Sequence, residues 1–565
     1  MFGRTVLQWD KEDCAWMGLV KFDLLGLGML SALSISFDLI SQHCGRFWTL
    51  ASIPRNEPGV YDMLCRGDSI GVFQVESRAQ IGALPRLKPR CFYDLAVEIG
   101  LIRPGPVQGG AVHPYIRRRT GVEPVTYPHP LLEPVLERTL GIPLFQEQLM
   151  QMATTVGNCT AADADLLRRA MGSKRGVERI DSLRTKLFEG MAANGIDDDT
   201  AQGIYARIES FANFGFAESH ALSFAGLVYT SAWIKLHYPA VFLAALLRSQ
   251  PMGFYSSATL VADARRHGVV TRRPDVARSS VGADLELLDA CCEELGSEEL
   301  ETGIDECLHD HDESEIGAFD PNRDDGDHRR DTHFAVRLGL SDVSGINIET
   351  ATRIVEERER ESFASLDDLA RRVDLSGEEV EALALAGAFD DLVGSRRGAL
   401  WQIGQINGVA PGQLDVQVVT QPPLLPEPTQ MELLGDDLRA TGISTADHPV
   451  RQVRDALNRR GVVQVDRLDG VETRRRIEVA GVVTHRQRPG TAGGVTFLNL
   501  EDETGLLNVI VTPGAWRHYR RVARTSRALV VRGILERGDE GVMSLQADRL
   551  EALDLSVPTK SRDFR

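Results

Sequence analysis

Between Ala283 and Asp331 the chain carries 19 acidic residues against three arginines, Arg323, Arg329 and Arg330. A stretch of that charge with few aromatics buries too little apolar surface to offset the entropy of ordering it. Residues 283–332 therefore read as a solvated, disordered insertion, with folded units before and behind it. The segment also changes what the net charge means. The whole chain sums to −18 at pH 7, the segment supplies −16 of it, and the remainder is −18 + 16 = −2. A near-neutral body can carry local basic patches, and patches rather than totals bind phosphate. Overall acidity therefore does not exclude a nucleic-acid partner.

A chain of 565 residues should hold about three or four domains. No apolar run approaches the roughly 20 residues of a membrane span, and the first residues lack a basic-then-apolar leader, so a cytoplasmic location is expected. The eight cysteines (14, 44, 65, 91, 159, 291, 292, 307) form no CxxC pair and read as scattered reduced thiols. Cys291, Cys292, Cys307, His309 and His311 share the acidic segment, but their spacing matches no ordinary zinc module.

Residues 1–30 read as a short strand, "LVKFDLL", leading into an apolar helical segment. From 31 to 282 the pattern is mostly helical, broken by loops such as "LIRPGPVQGG" and "TYPHPLLEP". The run "SFAGLVYTSAWIKLHYPAVFLAALL", 223–247, reads as two packed helices, since Lys235, His237 and Pro239 interrupt it. Residues 333–419 open with "LGLSDVSGINIETA", an apolar-Gly-apolar hairpin entering a helix. Such hairpins present backbone N–H groups to phosphate; Gly345 supplies the turn, and Asn347 stands where a second glycine would allow closer approach. A Pro-rich link opens the connecting segment 420–473. Residues 474–555 alternate in period two over five short strands, the pattern of a small Greek-key barrel of the OB type. Residues 556–565 form a tail. The fold class is α+β multidomain: mainly helical, with a helix-hairpin-helix unit and a C-terminal OB-type β-barrel.

Four constellations carry chemistry. Lys21 and Asp23 stand two apart in the strand-like segment, so both face one side; the pair suits a metal-assisted phosphoryl site or a plain ion pair. "ADADLLRRAMGSKR", 162–175, crowds Arg168, Arg169, Lys174 and Arg175 around a helix exit, fit to grip phosphate or to form a solvated face. Its Asp163 and Asp165 open the helix and suit first-turn duty. Arg103 sits in a Pro/Gly loop, and Arg86, Lys88, Arg117, Arg118 and Arg119 make an arginine-rich region suited to nucleic-acid backbone or to solubility. His220 lies between Ser219 and an apolar helix, as a packed histidine or a ligand-facing one. Phe497, Trp516 and Tyr519 of the barrel could stack bases or fill its core. No Walker loop, HExxH or Ser-His-Asp ordering appears, which removes the common hydrolases.

The strings "GLVKFDLLGL", "SIGVFQVESR", "IRPGPVQGG", "GIPLFQEQLMQMA", "DLLRRAMGSKR" and "NFGFAESHALSFAGLVY" together resemble the catalytic subunit of bacterial family C DNA polymerases, in that family's order. "VHPYIRRRTGVEPVTYPHPLLEP" and "QPMGFYSSATLVADARRHGV" are most similar to its error-prone, damage-induced branch. The resemblance implies template-directed nucleotidyl transfer past lesions in DNA repair and damage-tolerant replication, with Mg²⁺ or Mn²⁺. It makes residues 1–30 a remnant of the palm and 31–282 the fingers. It implies Asp23 as one of three metal-binding aspartates, with Lys21 its basic companion. Arg168, Arg169, Lys174, Arg103 and His220 become the nucleotide-binding set; Arg86, Lys88, Arg117, Arg118, Arg119 and Gly345 become the DNA-binding set. The implied partners are DNA primer-template, deoxynucleoside triphosphates, and a sliding clamp with accessory mutasome proteins. "GQLDVQ" (412–417) and "QMELL" (430–434) are the clamp-binding candidates. The family's "DFDVDF"-type strand does not occur in this sequence, and one carboxylate cannot hold two ions roughly 4 Å apart. The expectation is a polymerase portion inactive alone, with a separate N-terminal polymerase fragment as a further partner. The alternative is a non-catalytic DNA-binding or scaffolding protein.

Overall fold

The computed structural model describes residues 8–9, 11–20, 26–103, 111–171, 176–210, 216–253, 255–288, 310–321, 325–406, 426–488, 492–538, 543–555 and 562–564. Its principal helices in the first half are α1 (Lys11–Trp16), α2 (Leu27–Cys44), α3 (Pro58–Cys65), α4 (Phe92–Leu101), α5 (Val112–Arg119), α6 (Gln146–Gly157), α7 (Ala161–Ala170), α8 (Arg184–Ala193), α9 (Asp198–Ser210), α10 (Glu218–His237), α11 (Pro239–Arg248) and α12 (Ser257–Arg266). Leu19 and Val20 are not in the strand expected across "LVKFDLL". Lys21 and Asp23, like Lys174, lie outside the described residues.

Two cores underlie these helices. The first is centred on α10, whose Ala225, Val228, Ala232, Trp233 and Ile234 are buried among α2, α3, α4 and α11. An apolar helix of this kind is stable only when covered on nearly all sides. It ends where the sequence reading breaks it: Tyr238 leaves helical geometry (φ −134°, ψ 58°) and Pro239 opens α11, a position where a missing N–H is harmless. No described helix is long and apolar enough to cross a membrane. Lys235 is 3% exposed, and its ammonium donates to Asp68 (2.7 Å), Asp263 (2.8 Å) and the Ile70 carbonyl (3.1 Å). The second core gathers Leu149, Met152, Val156, Leu167, Leu187, Met191 and Ile204 from α6 to α9. Here α6 and α8 cross so closely that a Cβ on Gly190 would stand 2.0 Å from the Gly157 carbonyl oxygen.

The acidic segment is folded at both of its ends, which corrects the bounds 283–332 expected for a solvated insertion. Strand β2 (Asp284–Leu287) pairs antiparallel with β3 (Phe334–Arg337), and β1 (Thr271–Arg272) pairs parallel with β3 on its other side. Glu286 accepts from Arg272 (2.9 Å) and Arg337 (2.5 Å). Asp331 is fully buried and accepts from the Ala240 and Val241 amides, 2.6 and 3.2 Å, at the positive end of α11. At these two ends acidity is structural, because Glu286 and Asp331 meet cations or a helix terminus. Residues 289–309 and 322–324 lie outside the described residues.

A third core holds the hairpin unit. Gly345 turns at φ +98°, and Asn347 caps α13 (Ile348–Arg360) by accepting from the Thr350 amide at 2.7 Å. Behind it pack α14 (Leu366–Val373), α15 (Gly377–Leu385), α16 (Arg396–Ile406) and α17 (Gln430–Ala440). Arg396 and Asp437 form a buried pair at 2.8 Å, so α17 is a packed part of this unit rather than a link. The clamp candidate "QMELL" starts this helix, with Leu434 buried; "GQLDVQ" lies outside the described residues.

The last unit is a closed five-stranded barrel. Its strands β4 (Arg476–Gln487), β5 (Thr496–Glu501), β6 (Leu506–Val511), β7 (Ala528–Arg537) and β8 (Met543–Ala552) pair as β4–β5–β6–β8–β7 and back to β4, with β6–β8 parallel. Alternation produces it: Leu507, Val509 and Val511 point inward and their neighbours outward. Trp516 of α18 (Pro513–His518) and Tyr519, before α19 (Arg520–Thr525), pack half-buried against the barrel core. Phe497 is half-buried in register with Ile510. A final strand, β9 (Arg562–Phe564), pairs parallel with the end of β4. The barrel meets the first core through α12, where Arg266 lies 3.6 Å from the buried Glu501.

Candidate functional site

Helix α7 begins with a reciprocal cap: Thr160 Oγ1 accepts from the Asp163 amide while Asp163 accepts from the Thr160 amide at 2.7 Å. One turn later Asp165 accepts from Arg168 (2.8 Å) and Arg169 (2.6 Å), and these bonds hold its carboxyl below the usual range. Asp163 has the first-turn duty expected of it, while Asp165 lies beyond the first turn and serves the two arginines instead. Arg168 and Arg169 stay 47% and 68% exposed, two guanidiniums sharing one carboxylate at the helix C-terminus. They complement the negative end of the helix dipole and still present donors outward. A phosphate arriving there would compete only with a solvated pair, worth little to stability.

The structure brings Arg103 and His220 together, at the end of α4 and the start of α10. The Arg103 guanidinium lies 3.4 Å above the Phe216 ring, and its Nε donates to the Ile99 carbonyl at 3.3 Å. Burial lowers its pKa from the ordinary value. His220 sits between Phe216 (5.4 Å, perpendicular) and Phe224 (4.1 Å, tilted), and Phe224 meets Phe73 at 5.1 Å. An arginine laid on an aromatic face is oriented before any ligand arrives. Phe216 and Phe224 were missed as site residues, although a partial signal existed: His220 and Phe224 stand four residues apart, on one face of α10, while Phe216 precedes the helix. A second stack nearby was also missed. Arg138 lies 3.7 Å over Tyr93, whose hydroxyl donates to Glu218 at 2.7 Å.

The arginine-rich region does not form one patch. Arg118 donates to the carbonyls of Thr126 (3.1 Å) and Leu140 (2.6 Å) and to the Thr126 hydroxyl (2.9 Å), tying two loops together. Arg119 is paired with Asp94 at 2.5 Å and also reaches the Lys88 carbonyl. Arg86 is half-buried. Lys88 is exposed, and so is Arg117, which pairs with Glu123 at 2.9 Å. Only these last two present their charge outward in the way that backbone contact needs. Gly345 stands at the hairpin tip beside exposed Ile348.

Three or more metal-ligating side chains converge, among the described residues, at Glu57, His237 and His328 and at Asp68, Asp263 and His267. Neither is a set of carboxylates beside Arg168 or Arg103. The described residues therefore do not supply the aspartate site that the resemblance implies for Mg²⁺ or Mn²⁺, and no chemical step is assigned to them through such ions.

The chain matches the model of the bacterial DNA polymerase III alpha subunit finger domain over residues 29–195, a helix-hairpin-helix motif over 268–399 and an OB-fold nucleic acid binding domain over 477–553. It is 51% identical over 568 residues to the error-prone DNA polymerase of Mycolicibacterium paratuberculosis, covering 100% of this chain and 48% of that protein. The error-prone DNA polymerase of Mycobacterium tuberculosis gives the same figures. That of Nocardia farcinica is 50% identical over 579 residues, covering 100% of this chain and 46% of the relative. The chain thus spans about half the length of the curated relatives it matches. With a finger domain, a hairpin unit and an OB barrel in one order, and half of its residues identical from end to end, this chain is similar along its whole length to error-prone DNA polymerases, over about half of theirs.

Proposed function

We propose that this chain is the fingers, hairpin and barrel portion of an error-prone, DNA-directed DNA polymerase. The observation that carries the reading is 51% identity to proteins of that name along the whole of this chain. In this reading Arg168, Arg169 and the Arg103–Phe216–His220 stack bind and orient the incoming deoxynucleoside triphosphate. Lys88, Arg117 and the Gly345 hairpin hold the DNA backbone. The divalent ions, Mg²⁺ or Mn²⁺, would supply charge neutralisation at the transferring phosphoryl group, with Asp23 as one ligand. A separate N-terminal polymerase fragment, supplying the remaining ligands, is the first partner to test. Clamp and mutasome proteins would act through the assembled enzyme.

Primer extension on the purified chain, with and without such a fragment, tests the reading. Incorporation only in the presence of the fragment is expected; incorporation by this chain alone would overturn the division of labour. Failure to bind primed DNA, or binding indifferent to salt, would sink the polymerase reading itself, since phosphate contacts give affinity that falls steeply with salt. Arg168→Glu with Arg169→Glu should weaken triphosphate binding by tenfold or more, about 1.4 kcal/mol; an unchanged titration removes these two residues from the site.

A further inference from the structure

The described end of the acidic segment is held against the first core at a place that neither the sequence reading nor the polymerase role explains. Glu57, at the N-cap of α3, is 1% exposed; His237, the last residue of α10, is fully buried. His328, from the single turn Asp325–His328 of the acidic segment, points its imidazole at the same spot with its side chain 12% exposed. Glu57 Oε2 lies 2.7 Å from His237 Nε2, and Glu57 Oε1 lies 3.4 Å from His328 Nδ1. One ligand atom from each residue falls within 4.8 Å of the others.

The surroundings fix both rings. His237 is tilted against Trp233 at 4.5 Å, and its Nδ1 lies 2.9 Å from the His328 carbonyl oxygen. Arg330 Nε donates to that nitrogen at 3.3 Å, so Nδ1 is engaged from two sides and the ring is fixed. Nε2 faces the Glu57 carboxylate at 2.7 Å. A histidine fixed through one nitrogen, with the other turned toward a site, is the arrangement found behind metal-bound imidazoles. Gly59 leaves room for the second ring, because a Cβ there would lie 2.8 Å from the His328 imidazole. Glu57 Oε1 is buried and accepts no hydrogen bond among the described residues.

An imidazole nitrogen 2.7 Å from a carboxylate oxygen needs a cation between them, either a proton or a metal ion. A proton joins His237 Nε2 to Oε2 but leaves the buried Oε1 without a hydrogen bond among the described residues. A metal ion engages all three side chains. The other cluster, Asp68, Asp263 and His267, shows the contrasting case, since the Lys235 ammonium already supplies its cation. Two imidazoles and one carboxylate suit zinc, with bonds of roughly 2.0–2.2 Å and a fourth position for water. They do not suit magnesium, which takes oxygen ligands. We propose that Glu57, His237 and His328 bind a divalent transition-metal ion, zinc in the first instance, which staples the acidic segment to the fingers core.

The test uses the full chain, stripped with a chelator and titrated with zinc alone. One zinc per chain is expected by mass spectrometry of the metal and by calorimetry, with cobalt giving the visible absorption of a low-coordinate site. Zinc should raise the thermal midpoint, as a ligand of the folded state does. His328→Ala, at the least buried of the three, should lose the zinc and the thermal shift together, and Glu57→Gln should weaken binding by roughly tenfold or more. A variant with Cys291, Cys292 and Cys307 changed to serine should keep both. Absence of stoichiometric zinc, or zinc that persists unchanged in His328→Ala, overturns the proposal; circular dichroism of each variant separates loss of metal from loss of fold. None of these readouts depends on polymerase activity.

Discussion

Replacing Lys235 by methionine keeps the aliphatic stem of the side chain and removes a charge placed between two carboxylates. In the native structure the ammonium is 2.7 Å from Asp68 and 2.8 Å from Asp263, on a side chain 3% exposed. Removing one member of a buried ionic set costs about 3–5 kcal/mol because the remaining charges stay desolvated and unpaired. His267 remains 2.5 Å from Asp68, which places the expected loss near the lower end, about 3 kcal/mol. For a unit of this size each kcal/mol moves the midpoint by about 2–4 °C, so a fall of roughly 6–12 °C is expected. Burial alone would raise the Asp68 carboxyl; Lys235 and His267 instead hold it well below the usual range. Its contribution is therefore present above the ordinary carboxylate pKa of about 3.9 and is lost only as pH falls through the depressed value. Burial alone would lower the Lys235 ammonium; Asp263 and Asp68 raise it instead, so its contribution is full below about pH 10.4 and lost as pH rises through the higher folded value. Thermal unfolding by circular dichroism across pH 5–9 should thus show a difference between the two proteins that holds while His267 keeps its proton and widens once pH passes its pKa. Burial alone would lower that pKa, and Asp68 raises it above the ordinary value. Lys235→Met combined with Asp68→Asn and Asp263→Asn should recover most of the loss. A single variant within about 1 kcal/mol of the parent, or a triple variant no better than the single, would refute the argument that charge compensation holds this core together.

Gly190→Ala should destabilise the second core by about 1–3 kcal/mol, since the new methyl meets the Gly157 carbonyl and α6 must move from α8; an unchanged melt would refute so close a crossing. Glu501 is buried at the contact between the barrel and α12, and burial pushes its carboxyl up to about 7. The folded state then holds more protons than the unfolded one between the ordinary Glu value of about 4.3 and that pKa, so stability falls as pH rises through this window and levels off above it. Glu501→Gln should flatten that slope, and a slope that persists in the variant assigns it elsewhere. Arg103→Ala should weaken triphosphate binding with little change in the melt, because Phe216 stays packed in the first core without it; equal binding would leave Arg103 a packing residue.

How much could be read beforehand depended on whether a pattern reported direction as well as composition. The barrel was legible because period-two alternation along "LLNVIV" states which side chains face inward. The break at Pro239 was legible because proline removes a donor wherever it stands. The arginine run 117–119 misled because consecutive positions on a helix point about 100° apart: Arg117 faces water, while Arg118 and Arg119 turn toward loop carbonyls and Asp94. The acidic segment misled for a related reason. Counting charges treats Asp331 and Glu286 like their neighbours, and nothing local shows that a helix N-terminus 90 residues away, or a pair of strand arginines, will receive them. The Arg103–His220 stack falls between these cases, since its aromatic spacing was visible but the approach of α4 to α10 was not.

Pairing in the barrel runs fully round the ring, and the far end of β4 is paired with β9. Among the described residues each of the five ring strands has a neighbour on both sides, so the ring offers no edge strand for an extended peptide or a second copy of the chain to join; the outer side of β9 is the edge that remains. A protein that recognises the ring must therefore do so through loops, helices α18 and α19, or side chains on the strand faces. The same closure protects a sheet rich in valine and leucine from seeding fibrils.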